Sequence, residues 1–283
     1  TVEITSLGFK TYESNTGITA SETSLAAKFK SAVVANRTAY LGNVELGGVR
    51  YPDSIFQSTP NKFDVFSPDK ELAASINDGD EIVKLEYYAD RLLQFKKHKL
   101  QILNISQYGS EFLEDTFMHK GIDYPTASCK TDFGIAWVNK HGCYLYNGKS
   151  VSNLLEKQGR KMISDSDWQS HLNNHVAISY LARNRQLIIV NSLSTSGTKN
   201  VYLYDMVTGS WVKSTAAMWS SNSKALSNIV TDYNGDLIWS YKESGNSKFL
   251  KWDNSSGGPD NENRANFELK TKSMSFGNPA QRK

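Results

Sequence analysis

Two stretches decide the fold: Asn184-Arg185-Gln186-Leu187-Ile188-Ile189 and, just after it, Tyr202-Leu203-Tyr204-Asp205-Met206-Val207-Thr208-Gly209-Ser210-Trp211. The first is a turn pair followed at once by a β-branched and aliphatic run, the mark of a strand leaving a tight turn. In the second, a strand of alternating aromatic and aliphatic residues ends at Asp205, Gly209 takes the tight corner and Trp211 restarts a strand. Asp and Asn suit such openings because their short side chains cap their own backbone two residues on and tolerate left-handed geometry.

Outward from these stretches, both elements repeat. The turn-plus-strand element recurs as Asn36-Arg37-Thr38-Ala39-Tyr40-Leu41, Asp90-Arg91-Leu92-Leu93-Gln94-Phe95 and Asn234-Gly235-Asp236-Leu237-Ile238-Trp239, with Asp132-Phe133-Gly134-Ile135-Ala136-Trp137 as a looser copy. The copies start at 36, 90, 132, 184 and 234, which are 54, 42, 52 and 50 residues apart. The second element, a strand-end apolar residue followed by Asp or Asn, recurs as Phe63-Asp64, Leu103-Asn104, Tyr146-Asn147, Tyr204-Asp205 and Trp252-Asp253. Paired elements in constant order, at a spacing of roughly 40–58 residues, match four-stranded propeller blades. The expected fold is therefore all-β, a β-propeller of five or six four-stranded blades, in preference to a multi-sheet sandwich or two unrelated β domains. A sixth blade would join Val2–Phe9 to Phe267-Glu268-Leu269-Lys270. The expected organisation is an N-terminal segment over 1–30 able to close the propeller, the propeller itself over 31–270, and a linker over 271–283 leading to a following domain.

Composition agrees with a folded chain. Of 283 residues, 39% are apolar and 11% aromatic, enough for a core, and no apolar run approaches the length of a membrane-spanning helix. The chain starts at Thr1 without a methionine, so its natural N-terminus is expected to be processed or cut. Basic and acidic residues number 32 and 29, interleaved along the chain, which is not the footprint of a dedicated nucleic-acid binder. Cys129 and Cys143 fall two strands apart on this reading, about 10 Å at the usual strand spacing, so two reduced thiols are expected.

One interval departs from the β pattern. Residues 151–172 carry Leu154, Leu155, Met162, Ile163 and Trp168 at mostly helical separations, and Ser164 with Asp167 resembles a capping box that starts a short helix at Asp165. Because it breaks the repeat, this excursion is the candidate subunit interface, with Leu154, Leu155 and Trp168 as apolar anchors and Arg160 and Lys161 in a charged rim. The bland alternative is that the same side chains pin the excursion to its own propeller.

No catalytic pattern emerges. His171 and His175 are four apart without the glutamate of a His-Glu-x-x-His zinc site. Ser166-Asp167-Trp168 and Thr208-Gly209-Ser210-Trp211 are fragments of sialidase-type boxes at the wrong spacing, and among 29 acids no glycosidase pair stands out. Asp232-Tyr233-Asn234-Gly235-Asp236 resembles a calcium loop but has Lys242 where the closing glutamate belongs. Lys96-Lys97-His98-Lys99 is the densest basic cluster, either a solvated hairpin turn or a contact to phosphates. The expectation is a non-enzyme with no catalytic residue, cofactor or metal.

The segments Asp80-Glu81-Ile82-Val83-Lys84-Leu85, Tyr88-Ala89-Asp90-Arg91-Leu92-Leu93-Gln94-Phe95, Gly121-Ile122, Thr131-Asp132-Phe133-Gly134-Ile135-Ala136-Trp137-Val138 and Gly142-Cys143-Tyr144-Leu145-Tyr146 resemble the propeller of short-tailed phage tail hub or nozzle proteins, also called packaged-DNA stabilisation proteins. The similarity is best over residues 80–165, and its motifs are packing motifs of modest specificity. The resemblance implies a virion structural protein of the bacteriophage tail, assembled in the host cytoplasm and non-enzymatic. It also implies a homo-oligomeric ring, a hexamer, between a portal adaptor and tail fibre or spike proteins, with double-stranded DNA passing through the lumen without specific binding. The chain stops at Lys283, where the family is expected to continue into a second β domain. The competing class is a carbohydrate-binding or adhesin β-propeller, with Trp137, Trp211, Trp239 and Trp252 stacked on sugars.

Overall fold

Turn chemistry sets the period of the chain. In the computed structural model, which describes residues 2–9, 23–46, 48–75, 78–193, 200–213, 227–243 and 246–252, the repeated turn residues hold left-handed backbone. Asn36 and Arg37 have φ of 48° and 63°, Ala89 and Asp90 of 50° and 57°, Arg185 of 53° and Gly235 of 80°. Two consecutive residues with positive φ are what a two-residue hairpin needs to match strand twist. At the looser copy the turn ends on Gly134, at φ 137°, where a Cβ would stand 1.9 Å from the Tyr146 carbonyl oxygen, so glycine is required.

Each such turn joins the first and second strands of a sheet, except in the five-stranded first sheet, where it joins the second and third. The first sheet runs β1 (Val2–Phe9), β2 (Thr23–Ala35), β3 (Thr38–Leu46), β4 (Val49–Thr59) and β5 (Lys62–Leu72). The second is β6 (Ile82–Tyr88), β7 (Arg91–Lys96), β8 (Lys99–Asn104) and β9 (Phe112–Met118). The third is β10 (Ser128–Thr131), β11 (Gly134–Asn139), β12 (Gly142–Tyr146) and β13 (Val151–Asn153). A hairpin of β14 (Glu156–Lys157) and β15 (Arg160–Lys161) and the helix α1 (Asp165–His171) precede the fourth sheet. That sheet is β16 (Ala177–Leu181), β17 (Gln186–Val190), β18 (Val201–Asp205) and β19 (Ser210–Lys213). The described part of the fifth is β20 (Val230–Thr231), β21 (Leu237–Glu243) and β22 (Asn246–Lys251).

All described sheets are antiparallel meanders, and successive sheets meet near their first strands: β2 lies against β6, β6 against β11, β10 against β16, and β16 against β20. This succession of meanders, packed side by side along their opening strands, is a β-propeller. The strands expected from the repeat, β3, β7, β11, β17 and β21, occupy one blade position: each follows its blade's first strand, β2 in the opening sheet. Leu93, Ile135, Leu187 and Leu237 on four of them are at most 1% exposed.

The N-terminal segment is built into the first sheet. β1 pairs with β2, Val2 opposite Phe29 and Phe9 opposite Thr23, and β2 runs straight through the boundary placed at residues 30 and 31. The partner proposed for β1, residues 267–270, and the linker over 271–283 lie outside the described residues. β1 also lies against β5, so the first sheet curls into a half-barrel as well as serving as a blade. Alternation divides its side chains. Phe29, Leu41, Val44, Phe56 and Phe66 fill one cluster, whereas Ala35, Tyr40 and Ile55 join Ile82, Leu85, Leu92 and Leu103 of the second sheet.

Sheets two to four share the largest core, with Phe95, Trp137, Tyr146, Trp168 and Ile189 among its buried members, and the fourth and fifth share a smaller one around Ile188, Leu237 and Trp239. Tyr146 is buried as expected; Tyr204 and Trp252 are only partly buried and pack against the two cores. Asp and Asn at the strand ends cap as their chemistry dictates. Asn147 Oδ1 accepts from the amides of Lys149 and Ser150, and Asp205 Oδ1 from those of Val207 and Thr208. Cys129 and Cys143 lie on strands either side of β11 as free thiols, and burial pushes the Cys129 thiol up to about 12.

Helix α1 starts where the capping box placed it: Ser164 Oγ accepts from the Asp167 amide at 3.1 Å. At its other end His171 is 5% exposed and in edge contact with the Tyr202 ring at 4.4 Å between centroids. Burial, with Lys213 nearby, lowers its pKa from 6.5 to about 4. An imidazole with a depressed folded pKa is neutral in the native state and takes up its proton on unfolding, so stability is full above about pH 6.5 and falls as pH drops toward 4. The melting temperature of the parent is expected to decline between pH 6.5 and 5, and that of His171→Gln to decline less steeply. Equal slopes would show that His171 does not carry the effect.

Candidate functional site

In an up-and-down four-stranded blade, the turn between second and third strands and the connection to the next blade leave from the same end. At this end the basic run sits at the β7–β8 turn, and it is spent on acids of its own chain. The register of β6 on β7, Ile82 opposite Lys96, brings the acidic residues before β6 against that turn. Lys96 is fully buried; its Nζ bonds Asp78 at 2.8 Å and the Ser75 carbonyl and hydroxyl at 3.3 and 3.0 Å. Lys99 reaches Asp78 at 2.5 Å, and Asp80 accepts from the backbone amides of Lys97 and His98 at 3.0 Å each. Glu81 gathers Lys30 at 2.7 Å, Lys97 at 2.9 Å and Arg50 at 2.5 Å, tying the first blade to the second. Burial alone would raise the Glu81 carboxyl; the Lys30 and Lys97 ammoniums and the Asn43 amide hold it down at about 2. The phosphate-contact expectation for this cluster thus meets a turn whose lysines already have carboxylate partners. A sequence signal existed in the acidic Asp78-Gly79-Asp80-Glu81, one hairpin strand-pair upstream of the basic run.

Three other sequence candidates resolve in the same way. Asp232 Oδ1 accepts from the amides of Asn234 and Asp236, while the buried Asp236 carboxylate pairs with Arg183 at 3.2 Å and with Lys251, so the calcium-like loop is a hairpin turn closed by ion pairs. In the excursion, residues 151–153 belong to blade three as β13, which corrects its starting point. Leu155 and Trp168 are buried in the chain's own core, 3% and 1% exposed, and Leu154 packs partly against it. Those apolar anchors are therefore committed inward, and the exposed part of the proposed interface reduces to Arg160, Lys161 and their hairpin. The tryptophans expected to stack on sugars are likewise engaged. Trp137 and Trp239 are buried, Trp211 donates to the Leu154 carbonyl at 2.9 Å, and Trp252 meets Trp239 edge-on.

Two of the concavities among the described residues lie across blades two to five. The first strands of blades two to five line a cleft of about 500 Å³ with Lys84, Glu86, Lys130, Asp132, Ser179, Tyr180 and Thr231. Two of its polar pairs are internal: Lys84 pairs with Glu86 at 2.8 Å and donates to the Ser128 carbonyl at 2.9 Å, and the Tyr180 hydroxyl donates to Asp132 at 2.9 Å. Burial and the Asp132 bond together push the Tyr180 hydroxyl up to about 12, so it remains a donor. The second is a groove of about 740 Å³ on the end where the basic turn lies, reached by Lys97, Tyr124, Asn139, Lys140, Asn173 and Asn174 over Val138, Leu172 and Val176. Gly121 lets the connection from β9 close on the β7–β8 turn beside it; a Cβ there would lie 2.3 Å from the Lys96 carbonyl oxygen. Sequence reasoning singled out neither concavity, since their residues come from separate blades. Among the described residues no group of three His, Cys, Asp or Glu is placed to hold a metal ion.

Sheets and clefts together define a β-propeller domain. No family model matches the sequence, and no curated protein is significantly similar to it. Among solved structures, the extracellular domain of BT4673 from B. thetaiotaomicron is similar at 14% identity and a TM-score of 0.45, over 87% of this chain and 30% of that one. The N-terminal domain of Nup159, a protein also solved from S. cerevisiae, is similar at 8% identity and a TM-score of 0.45, over 79% of this chain and 59% of that one. The chain spans less than two thirds of either. Both likenesses are too distant to speak to function, and the propeller is read from the sheets themselves.

Proposed function

We propose that the chain is a non-catalytic wall module of a phage tail hub or nozzle, part of a ring through which DNA passes and on which receptor-binding fibres or spikes are mounted. The resemblance over residues 80–146 supports this, and those motifs have packing roles in blades two and three. The observation that carries the reading is the commitment of Lys96, Lys97 and Lys99 to Asp78 and Glu81, together with the Lys84–Glu86 pair of the inner cleft. Each phosphate neutralised by a free cation adds to sticking through counterion release, so a surface whose cations are already paired suits passage more than capture. The adhesin alternative, in its tryptophan-stacking form, loses support because those rings fill blades.

Assembly is the test. In a closed ring the contacts are heterologous, one patch meeting a different patch on the neighbour, and the exposed β14–β15 hairpin is the candidate for one side. Negative-stain images of the purified protein should show six-fold rings, and the Arg160→Glu, Lys161→Glu double variant should form fewer of them at unchanged melting temperature, since exposed charges contribute little to monomer stability. A protein that stays monomeric at all concentrations would overturn the ring, and normal rings in the double variant would remove the hairpin from the interface.

A further inference from the structure

The groove on the turn-bearing end has a chemistry that the tail assignment does not use. Its volume of about 740 Å³ falls within the range of small-ligand sites, and three blades contribute to it: Lys97 from the second, Val138, Asn139 and Lys140 from the third, and Leu172 to Val176 from the approach to the fourth. Asn139 is consumed by the framework, donating to the His119 and Gly121 carbonyls and accepting from the His141 and Gly142 amides. Lys97 is held by Glu81. The side chains of Asn173 and Asn174 are differently placed: both residues are exposed at the rim, and only their backbones are tied down, Asn173 N–H to the Asn191 carbonyl and the Asn174 carbonyl to Ser192 Oγ. The Tyr124 ring, half-buried, lies against His175 at 4.4 Å between centroids, an aromatic surface at the same rim. His175 holds φ of 61°, a left-handed conformation that sets the ring pair in place.

We infer that this groove is a saccharide-binding site. A primary amide offers donors and an acceptor side by side, and a sugar hydroxyl is both donor and acceptor, so paired asparagines at a rim match a polyol. The aromatic pair supplies a flat apolar face for the C–H side of a pyranose, over a floor of Val138, Leu172 and Val176. Charge points away from phosphate ligands: Asp123 also lines the groove, and of its two lysines Lys97 already has its carboxylate. The inference is independent of the tail assignment and differs from the tryptophan-stacking alternative in every residue.

The test uses the whole chain on an array of neutral and sialylated oligosaccharides, with hits titrated by calorimetry. Retention of a neutral oligosaccharide is expected, with affinity falling roughly tenfold or more in Asn174→Ala and in Tyr124→Ala, about the worth of one good polar contact, and unchanged in Lys149→Ala, on a turn at the other end of blade three. Asn174 is exposed, so its variant folds whether or not Tyr124→Ala does. No retained oligosaccharide, retention indifferent to Asn174→Ala, or competition by an extended peptide in place of sugars would overturn the assignment.

Discussion

Trp168→Ala is expected to destabilise the protein by about 3–5 kcal/mol, the range for removing a large buried aromatic. Trp168 is 1% exposed and joins helix α1 to two blades at once. Its indole donates to the Asn139 carbonyl at 2.9 Å, and its ring meets Tyr202 and Trp211 at 5.9 and 5.8 Å between centroids. Truncation leaves a cavity, lost contacts with both rings and a lost hydrogen bond to the Asn139 carbonyl. Trp168→Phe keeps most of the volume and should cost only about 1–2 kcal/mol through the lost hydrogen bond. Denaturant midpoints at unchanged slope measure both. A midpoint within error of the parent for Trp168→Ala would show that the excursion is not pinned to its own propeller.

Asp78→Ala should cost about 3 kcal/mol, at the lower end of the range for breaking a buried ion pair from one side, because Asp78 itself reaches solvent and the buried Lys96 keeps its bonds to Ser75. The same network makes a prediction in pH. Burial alone would raise the Asp78 carboxyl, but Lys96, Lys99 and Ser75 hold it well below the ordinary range, and Glu81 is held at about 2 against 4.5. Groups with depressed folded pKa values lend stability above their unfolded values, so this contribution is present above about pH 4.5 and is lost as pH falls toward 2. The acid limb of the stability curve should therefore flatten in Asp78→Ala. A full-depth acid limb in that variant would mean the network contributes little.

The period of the propeller was legible because it is written in turns, which are local: Asn36-Arg37 and Ala89-Asp90 need positive φ, and few residues supply it. The cap of α1 was legible for the same reason. Pairing across distance was not. β1 could be seen as a strand, but its contact with β5 in the first sheet is a long-range one that leaves no mark in composition. Leu155 and Trp168 looked like interface anchors because an apolar side chain off the repeat has the same sequence whether it faces a neighbour or its own core. The lysines at residues 96–99 looked free for want of their partners, which a sheet register supplies. Asn173, Asn174 and Tyr124 carry no motif at all; the groove exists only once three blades are side by side.

If the proposed wall role holds, Lys84, Lys96, Lys97 and Lys99, each held by a carboxylate of its own chain, give the propeller little grip on DNA. Equilibrium binding of the purified protein to a double-stranded DNA fragment, measured against salt, tests it directly. Little retention at physiological ionic strength and a shallow slope of log affinity on log salt are predicted, with a slope near −1 or smaller in magnitude, since neutralising Z phosphates gives about −0.9Z. Binding tighter than about 1 μM at that salt, with a slope steeper than about −4, would contradict the claim by showing several free cations on phosphates.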